Sequence, residues 1–255
     1  MNIEPRWSGP PDISRMETDH LHIWRGFTPE SADPRITNSL SIEEKQRAAR
    51  FVRPKDRQRY SFSHGMLRIV LAHYLSVDPQ YIVFKNNSYG KPRLWQAVNE
   101  PDICFNMAHS ENIVTVAVTC STPVGIDVEY IRELQDARQI VTRNFSPEEQ
   151  KYIIGEQDLE FHDRFFTCWT LKEAFIKAIG MGLSHPLETF SVVDPNSENP
   201  IRDRVSLQGG TDIRWYQIPF HPLHNYRAAV VIKDIQPSPK FYDFNVYFDN
   251  VLGKV

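Results

Sequence analysis

The sequence has few of the features that mark secreted, membrane-spanning or thiolate-metal proteins. Only three of its 255 residues are cysteines, at positions 104, 120 and 168, and no two have the spacing of a metal-ligand pair. This odd number favours a reducing compartment. No apolar run approaches the roughly 18 residues of a membrane span, and residues 1–7 lack the basic start and apolar stretch of a signal peptide. We therefore expect a cytoplasmic protein with no membrane partner.

A strong net charge is also missing. The formal charge is −3 at pH 7, with 41% hydrophobic and 24% charged residues, as in an ordinary globular protein. Such a balance gives no general attraction to nucleic acid, so we expect no nucleic-acid partner. The Walker A loop, the G-x-S-x-G elbow and the H-E-x-x-H zinc motif are absent as well. An anionic ligand would have to be drawn by a local basic patch.

Residues 124–130 predict a strand with two acids on one side. Because alternate side chains of a strand point to opposite faces, Asp127 and Glu129 emerge together, beside Gly125, which we expect to leave open space. Like charges this close are stable only with a cation or strong solvation. Carboxylates without a neighbouring Cys or His suit Mg²⁺ rather than Zn²⁺. The alternative is an amphipathic strand with a solvated acidic face.

Residues 161–179 predict a helix that carries an acid and a base on one side. At about 100° per residue, Glu173 and Lys177 share a face with Trp169. A purely solvated face rarely carries a tryptophan, so this face is predicted to line a cleft or an interface. The alternative is an ordinary Glu–Lys helix pair, worth ~0.2–0.5 kcal/mol. Lys172 is interpreted either as a solvated lysine or as a residue that positions Glu173.

Donors for a phosphate group occur in three other segments. Residues 45–59 carry seven basic side chains and a single acid. This density could bind a phosphate through charge-assisted hydrogen bonds, or it could be a solvated surface. Lys91 lies in a segment dense in turn formers, and His109 and Ser110 lie at the end of a predicted strand. Each of these signals is unspecific on its own.

The predicted elements divide the chain into two halves. Ser41 and Ser146 each begin a helix capping box. Because residues 121–123 have the composition of a linker, we place an N-terminal half at 1–122 and a C-terminal half at 123–255. Alternating apolar residues predict strands at 103–107, 113–118, 124–130, 226–232 and 242–248.

Four blocks together carry a family resemblance. They are residues 89–92 (YGKP), 105–110 (FNMAHS), 125–129 (GIDVE) and 169–177 (WTLKEAFIK), followed by a GMGLS tail. In this order and spacing they resemble the phosphopantetheinyl transferases, specifically the large monomeric surfactin-synthetase (Sfp) type. The family usually has serine where this chain has Ala108, so one hydroxyl is missing beside His109. That departure affects details of nucleotide contact rather than the reaction class.

The resemblance implies an α+β fold, the 4'-phosphopantetheinyl transferase fold, with two similar α+β halves related by a pseudo-twofold axis and coenzyme A in the cleft between them. It implies transfer of the 4'-phosphopantetheine arm from coenzyme A to a serine of an apo acyl or peptidyl carrier protein, with release of adenosine 3',5'-bisphosphate. Such carriers serve fatty acid, polyketide and nonribosomal peptide synthesis. The large type implies a monomer.

The reaction that the resemblance implies leads to roles for individual residues. Our hypothesis is that Glu173 is the general base and that Lys177 neutralises or protonates the leaving phosphate. The resemblance itself implies the following contacts. Mg²⁺, or Mn²⁺, would be held by Asp127, Glu129 and Glu173, and coenzyme A phosphates by Lys91, His109, Ser110, Arg47 and Arg59, the last two near the 3'-phosphate.

A basic stretch, residues 132–145 with Arg132, Arg138 and Arg143, is a candidate surface for an acidic carrier protein. Two other functions stay open from the residues alone. A Mg²⁺-dependent phosphodiesterase or nuclease also combines acids with a lysine, although no long basic groove is evident. A binding module for coenzyme A or a carrier, without activity, is the non-enzyme alternative.

Overall fold

The structure is a computed structural model and describes residues 4–9, 16, 20–95, 102–155, 160–205, 214–234, 236 and 238–251. Its helices and strands are, in chain order, β1 (His20–Phe27), α1 (Pro34–Asn38), α2 (Ile42–Ala49), α3 (Pro54–Leu75), β2 (Phe84–Asn86), β3 (Pro92–Leu94), β4 (Ile103–Ser110), β5 (Ile113–Cys120), β6 (Val124–Tyr130), α4 (Ala137–Asn144), α5 (Pro147–Ile154), α6 (Phe161–Ile179), β7 (Arg204–Val205), β8 (Trp215–Phe220), β9 (Tyr226–Lys233), β10 (Ser238–Asp243) and α7 (Phe244–Val251). No helix in these ranges is long and apolar enough to cross a bilayer.

Two four-stranded sheets organise the molecule. The first sheet has the order β10-β1-β5-β4, and the second has the order β6-β9-β8-β7. All neighbours are antiparallel except β1 and β10, which run parallel with Ile23 opposite Phe241. A separate hairpin is formed by β2 and β3. Each sheet is accompanied by a long helix, so the predicted α+β class with two similar halves is confirmed.

In the described part of the chain, three apolar cores follow from the alternation of side chains across the strands. The first packs α3 and α7 on the outer face of the first sheet, around Trp24 and Val116. The second packs α6, with α4 and α5, on the outer face of the second sheet. The third lies between the sheets, where Ile23 of β1 and Ile126 of β6 are both fully buried. The two sheets are therefore the inner layers and the long helices the outer layers.

The C-terminal segment returns to the first sheet. The predicted strand over 242–248 was wrong, because the chain leaves β10 at Asp243 and continues as helix α7. Tyr247 and Phe248 follow Phe244 by three and four residues, which is helical spacing, and all three are buried in the core around α3. The division at residues 122 and 123 stays a prediction, but the described part of 238–251 pairs and packs with the first half.

Candidate active site

Strand β6 and helix α6 approach each other so closely that one position has no room for a side chain. A Cβ added at Gly125 would lie 2.1 Å from the carbonyl oxygen of Ala174 and 2.4 Å from the backbone nitrogen of Ala178. The expected open space beside this glycine is therefore wrong, because the backbone of α6 fills it. This contact places the functional face of α6 directly over the acidic face of β6.

Asp127 and Lys177 form an ion pair across this interface. The Lys177 Nζ lies 2.6 Å from Oδ1 of Asp127 and 3.3 Å from the carbonyl oxygen of Ile126. The second carboxylate oxygen of Asp127, Oδ2, is buried and has no hydrogen-bond partner. Burial raises the pKa of Asp127 to about 7, although Lys177 acts in the opposite direction. A buried acceptor without a donor is costly, and it marks a place where a cation would be favourable.

Glu129 is held from the first half of the molecule. Its Oε2 accepts a hydrogen bond of 2.8 Å from the hydroxyl of Ser110, and Arg132 lies 3.7 Å away. The Ser110 hydroxyl in turn accepts from the backbone N–H of Tyr130 at 3.1 Å. The side-chain oxygen of Asn106 likewise accepts a hydrogen bond of 2.8 Å from the backbone N–H of Ile126. These side chains of β4 accept hydrogen bonds from backbone N–H groups at the edge of β6. The edge strands of the two sheets are therefore joined by side-chain-to-backbone hydrogen bonds and not by backbone pairing.

Glu173 completes the acidic group. Burial raises the pKa of Glu173, and the charge of Glu129 adds to this effect while Lys177 opposes it. Three carboxylates, one of which has a buried oxygen without a hydrogen-bond partner, have the chemistry of a hard divalent-cation site. Within the described ranges, however, no three His, Cys, Asp or Glu side chains stand ready as a metal cluster. Asp127 is paired through Oδ1 with Lys177 and Glu129 through Oε2 with Ser110, so Oδ2 of Asp127 is the oxygen that a cation could meet without displacing either contact.

His109 lies beside this group on β4 and is exposed. Its pKa is lowered by partial desolvation first, and then by the positive charges of Lys177 and of residues in the first half that include Arg59. Cations from α6 and α3 therefore both act on His109. The structure brings together the predicted residues His109, Asp127, Glu129, Glu173 and Lys177, and Ser110 donates a hydrogen bond to Glu129 of this group.

The two predicted arginines occupy different surroundings. Arg59 donates from Nη2 to Glu111 at 2.5 Å, while its Nε is buried without a hydrogen-bond partner. Arg47 lies with its guanidinium 5.6 Å from the ring centroid of Tyr60. It also lines a hollow of about 610 Å³ whose lining includes Arg50 and Phe51. Arg59 thus has an unsatisfied donor, and Arg47 borders a space large enough for a ligand group.

The ammonium group of Lys91 is hydrogen-bonded to backbone carbonyl oxygens of the second half. Its Nζ donates to the carbonyl oxygens of Val124 at 2.9 Å and Ala178 at 3.2 Å, and burial lowers its pKa to about 8. The neighbouring Asn87 amide donates to the carbonyl of Gly180 at 2.9 Å. These donors cap the C-terminal end of α6, where free carbonyls and the helix dipole favour a cation. Contact of Lys91 with a coenzyme A phosphate stays a prediction.

Lys172 is fully buried, so its interpretation as a solvated lysine was wrong. Its Nζ lies 2.7 Å from Oε1 of Glu149 and 2.7 Å from the carbonyl oxygen of Phe190, and both charged side chains have zero exposure. Glu149 also accepts from the backbone N–H of Val192 at 2.9 Å and of Ser146 at 2.8 Å. Burial lowers the pKa of Lys172 and raises that of Glu149. The pair fixes the rotation of α6 next to Glu173.

Sequence reasoning missed Asn106, Glu111 and the Glu149–Lys172 pair. For Glu149 a signal existed, since it is the third residue of the helix that Ser146 caps and is therefore held in place. For Glu111 the signal was its position next to His109 and Ser110. Nothing in the local pattern points to Asn106, because its partner lies 20 residues away on another strand.

The comparisons with known proteins agree with this geometry. Residues 123–231 match a family described as the 4'-phosphopantetheinyl transferase superfamily, and residues 26–121 match one described as 4'-phosphopantetheinyl transferase, N-terminal. The chain is 32% identical over 244 residues to 4'-phosphopantetheinyl transferase HetI of Nostoc sp. strain PCC 7120, covering 95% of this chain and 100% of that protein.

Two further relatives cover the central part of the chain. Identity to 4'-phosphopantetheinyl transferase Sfp of Bacillus subtilis strain 168 is 32% over 163 residues, which is 64% of this chain and 70% of Sfp. Identity to 4'-phosphopantetheinyl transferase gsp of Aneurinibacillus migulanus is 34% over 155 residues, which is 61% of this chain and 62% of gsp. The chain therefore belongs to the 4'-phosphopantetheinyl transferase superfamily and is an enzyme of the Sfp type.

Proposed function

We propose that this enzyme transfers 4'-phosphopantetheine from coenzyme A to a serine of an apo carrier protein and holds a divalent cation at Asp127, Glu129 and Glu173. The observation that carries the proposal is the group of three acids between β6 and α6, in which Asp127 is buried and has an oxygen without a hydrogen-bond partner while Glu129 and Glu173 are half-buried. Within that group Lys177 pairs with Asp127, and the charges of Glu129, Lys177 and Arg59 of the first half all act on the neighbouring His109.

The donor set suits Mg²⁺ or Mn²⁺, and we propose Mg²⁺ as the ordinary ion. A divalent cation bound there would neutralise phosphate charge and reduce repulsion toward an incoming nucleophile. The ammonium of Lys177 now pairs with Asp127. Cation binding would release it for the phosphate of the substrate, which deepens the predicted role of Lys177 at the leaving group.

Proton transfer is assigned to Glu173. It lies on the same face of α6 as Lys177 and is partly buried, between that cation and the charge of Glu129. We propose that it accepts the proton of the carrier serine as the oxygen attacks the β-phosphate of coenzyme A. Adenosine 3',5'-bisphosphate leaves, with Lys177 at its departing phosphate. Phosphoryl transfer of this kind depends mainly on positioning and charge neutralisation.

The nucleotide end of coenzyme A is assigned to the basic part of the first half. Arg59 has an unsatisfied Nε, and Arg47 borders a hollow of about 610 Å³. Arginine fits a phosphate better than lysine because its planar donors match two oxygens at once. Residues 132–145 are proposed as the carrier surface, since Arg132 and Arg143 are exposed there. Action as a monomer and a cytoplasmic location belong to the same proposal.

The test is intact mass spectrometry of an apo acyl carrier protein incubated with this enzyme, coenzyme A and Mg²⁺, with and without a chelator. We expect the carrier to gain the mass of one phosphopantetheine arm, and the gain to vanish with chelator. In Glu173→Gln, transfer should be abolished while circular dichroism and thermal unfolding remain those of the folded protein.

Glu148→Gln is the matched control, because Glu148 is an exposed acid on α5 to which the proposal gives no role. It should transfer at the rate of the unchanged enzyme. Full activity of Glu173→Gln would remove this residue from the mechanism. Failure to modify several different apo carriers, with coenzyme A bound tightly, would instead support a binding module without turnover.

A further inference from the structure

The turn between β4 and β5 places a glutamate in a backbone conformation that residues other than glycine rarely adopt. Ser110 and Ile113 are paired, so Glu111 is the first residue of a two-residue turn, and its φ is 48°. This left-handed region is disfavoured for a residue with a Cβ.

The carboxylate of Glu111 lies on the basic start of α3. Its Oε2 is 2.5 Å from Nη2 of Arg59 and 4.0 Å from Nζ of Lys55. The Nε of Arg59 remains buried without a hydrogen-bond partner, so the carboxylate satisfies only part of the guanidinium. The turn that presents His109 and Ser110 to the acidic group therefore also presents an anion to the predicted nucleotide site.

We infer that Glu111 is an internal competitor for the anion site of Arg59 and Lys55, and that it thereby sets how strongly the enzyme discriminates coenzyme A from its analogue without the 3'-phosphate. The inference rests on the proposed function, in which Arg59 meets that phosphate. It adds a residue that determines the selectivity of this site.

The Glu111 carboxylate carries one negative charge, whereas the competing 3'-phosphate carries about 1.5 to 2 negative charges at pH 7. The ion pair is open to solvent, with side-chain exposures of 25% for Arg59 and 44% for Glu111, so its displacement costs little. A phosphate offers three acceptor oxygens, which could satisfy the orphaned Nε as well. A ligand without this phosphate leaves Glu111 on Arg59 and meets no competition.

The experiment is a thermodynamic cycle by isothermal titration calorimetry. Coenzyme A and dephospho-coenzyme A are each titrated into the unchanged enzyme and into Glu111→Gln. Each titration is done at low salt and again at roughly 0.5 M salt, where interactions between exposed charges are strongly screened. We expect Glu111→Gln to bind coenzyme A about two- to fivefold more tightly at low salt, the size of one exposed ion pair. Dephospho-coenzyme A should bind both proteins alike, and the gain should shrink at high salt.

Glu148→Gln serves as the control for a general charge effect, since it removes the same charge from the other half of the molecule. Equal changes for both ligands, no change, or weaker binding of coenzyme A by Glu111→Gln would each overturn the inference. If Glu111→Gln does not fold, Glu111→Gly replaces it, because glycine accepts the same φ. No binding of coenzyme A to the unchanged enzyme would overturn the proposed function itself.

Discussion

At the scale of single residues, the charges of the candidate site already have partners inside the protein. Lys177 holds Asp127, Ser110 holds Glu129 and Glu111 holds Arg59. Each of these contacts occupies a group that we assign to a cation or a phosphate. Ligand binding therefore exchanges one set of ionic contacts for another, and the internal partners lower the net gain on binding.

Lys177→Met should reduce kcat by about 100-fold or more, with the KM for coenzyme A changed by less than about threefold, if Lys177 acts on the leaving phosphate. Steady-state kinetics with an apo carrier protein would measure both constants. Lys151→Met, which removes an exposed lysine from α5, is the control and should leave both unchanged. A rise in KM with an unaltered kcat would show a binding role only.

Lys172→Met should lower the free energy of unfolding by about 3–5 kcal/mol, because it leaves the buried carboxylate of Glu149 without its cation. Urea unfolding measures this change. The double variant Lys172→Met/Glu149→Gln should be more stable than the single variant, since no buried charge remains. A double variant less stable than Lys172→Met would show that the charge pair is not the source of the loss.

At the scale of elements, the site depends on the contact between β6 and α6. Strand and helix supply Asp127, Glu129, Glu173 and Lys177, and Gly125 lets their backbones approach. The Lys91 and Asn87 donors hold the C-terminal end of the helix from the first half. The position of α6 is thus set from three directions, by the strand, by the capping turn and by the buried Glu149–Lys172 pair.

Gly125→Ala should lower the free energy of unfolding by about 1–3 kcal/mol and reduce transfer, because the new methyl group collides with the backbone of α6 rather than with a flexible side chain. Thermal unfolding and the carrier assay would measure the two effects. In Gly9→Ala the added Cβ meets no atom within 4 Å, so this control should change stability by less than about 0.5 kcal/mol. Equal stability of the two variants would contradict the close contact.

Local features of the fold could be predicted from the sequence, and long-range pairings could not. The capping boxes at Ser41 and Ser146 and the strand at 124–130 depend on neighbouring residues, and the structure has them. The segment 242–248 was assigned the wrong element because its aromatic residues fit both a period of two and a helical period. Packing against the core around α3 decides that this segment becomes a helix after Asp243, and the local sequence does not show that core.

The same limit applies to the site. Asp127 and Glu173 were found because each lies in a short motif, but the partner of Lys172 lies 23 residues away and that of Arg59 lies 52 residues away. Charge patterns alone do not reveal which acid meets which base once the chain has folded. The burial of Lys172 could be predicted only with knowledge of the core that surrounds it.

At the scale of the whole molecule, the first core contains a histidine that the fold keeps neutral. His22 is 3% exposed, and its Nδ1 lies 2.9 Å from the hydroxyl of Tyr74. Burial first, and then positive charge on His20, Lys240 and His73, lower the pKa of His22 to about 4. Between pH 6.5 and pH 4 the unfolded chain therefore binds more protons at this residue than the folded protein does.

This residue should make the protein less stable in acid. The free energy of unfolding should fall by up to about 3 kcal/mol through His22 as the pH drops from about 6.5 to about 4, and be regained as the pH rises again. Urea unfolding across this range should show a flatter profile for His22→Gln than for the unchanged protein. His224→Gln, at an exposed position, is the control. Parallel profiles for His22→Gln and the unchanged protein would contradict the assignment.

The two halves should not fold as separate pieces cut at residue 122. A fragment of residues 1–122 lacks β10, the parallel neighbour of β1, and the aromatic residues Tyr242, Phe244 and Tyr247 of its core. We expect no cooperative unfolding transition from this fragment, measured by circular dichroism in urea. A fragment with the cooperative transition of a folded domain would show that the first half is complete without the C-terminal segment.

The parallel pairing of β1 with β10 has a consequence for the way the protein is made. Arg25 and its partner Asp243 are 218 residues apart. At about 5–20 residues per second, the ribosome needs roughly 10–40 seconds between the two. Throughout that interval at least one edge of β1 is unpaired, and both are until β5 is made; such an edge can pair with another chain. We expect nascent chains to require protection by a chaperone until residues 238–243 emerge, which ribosome-bound chains truncated before position 238 would show as persistent chaperone binding.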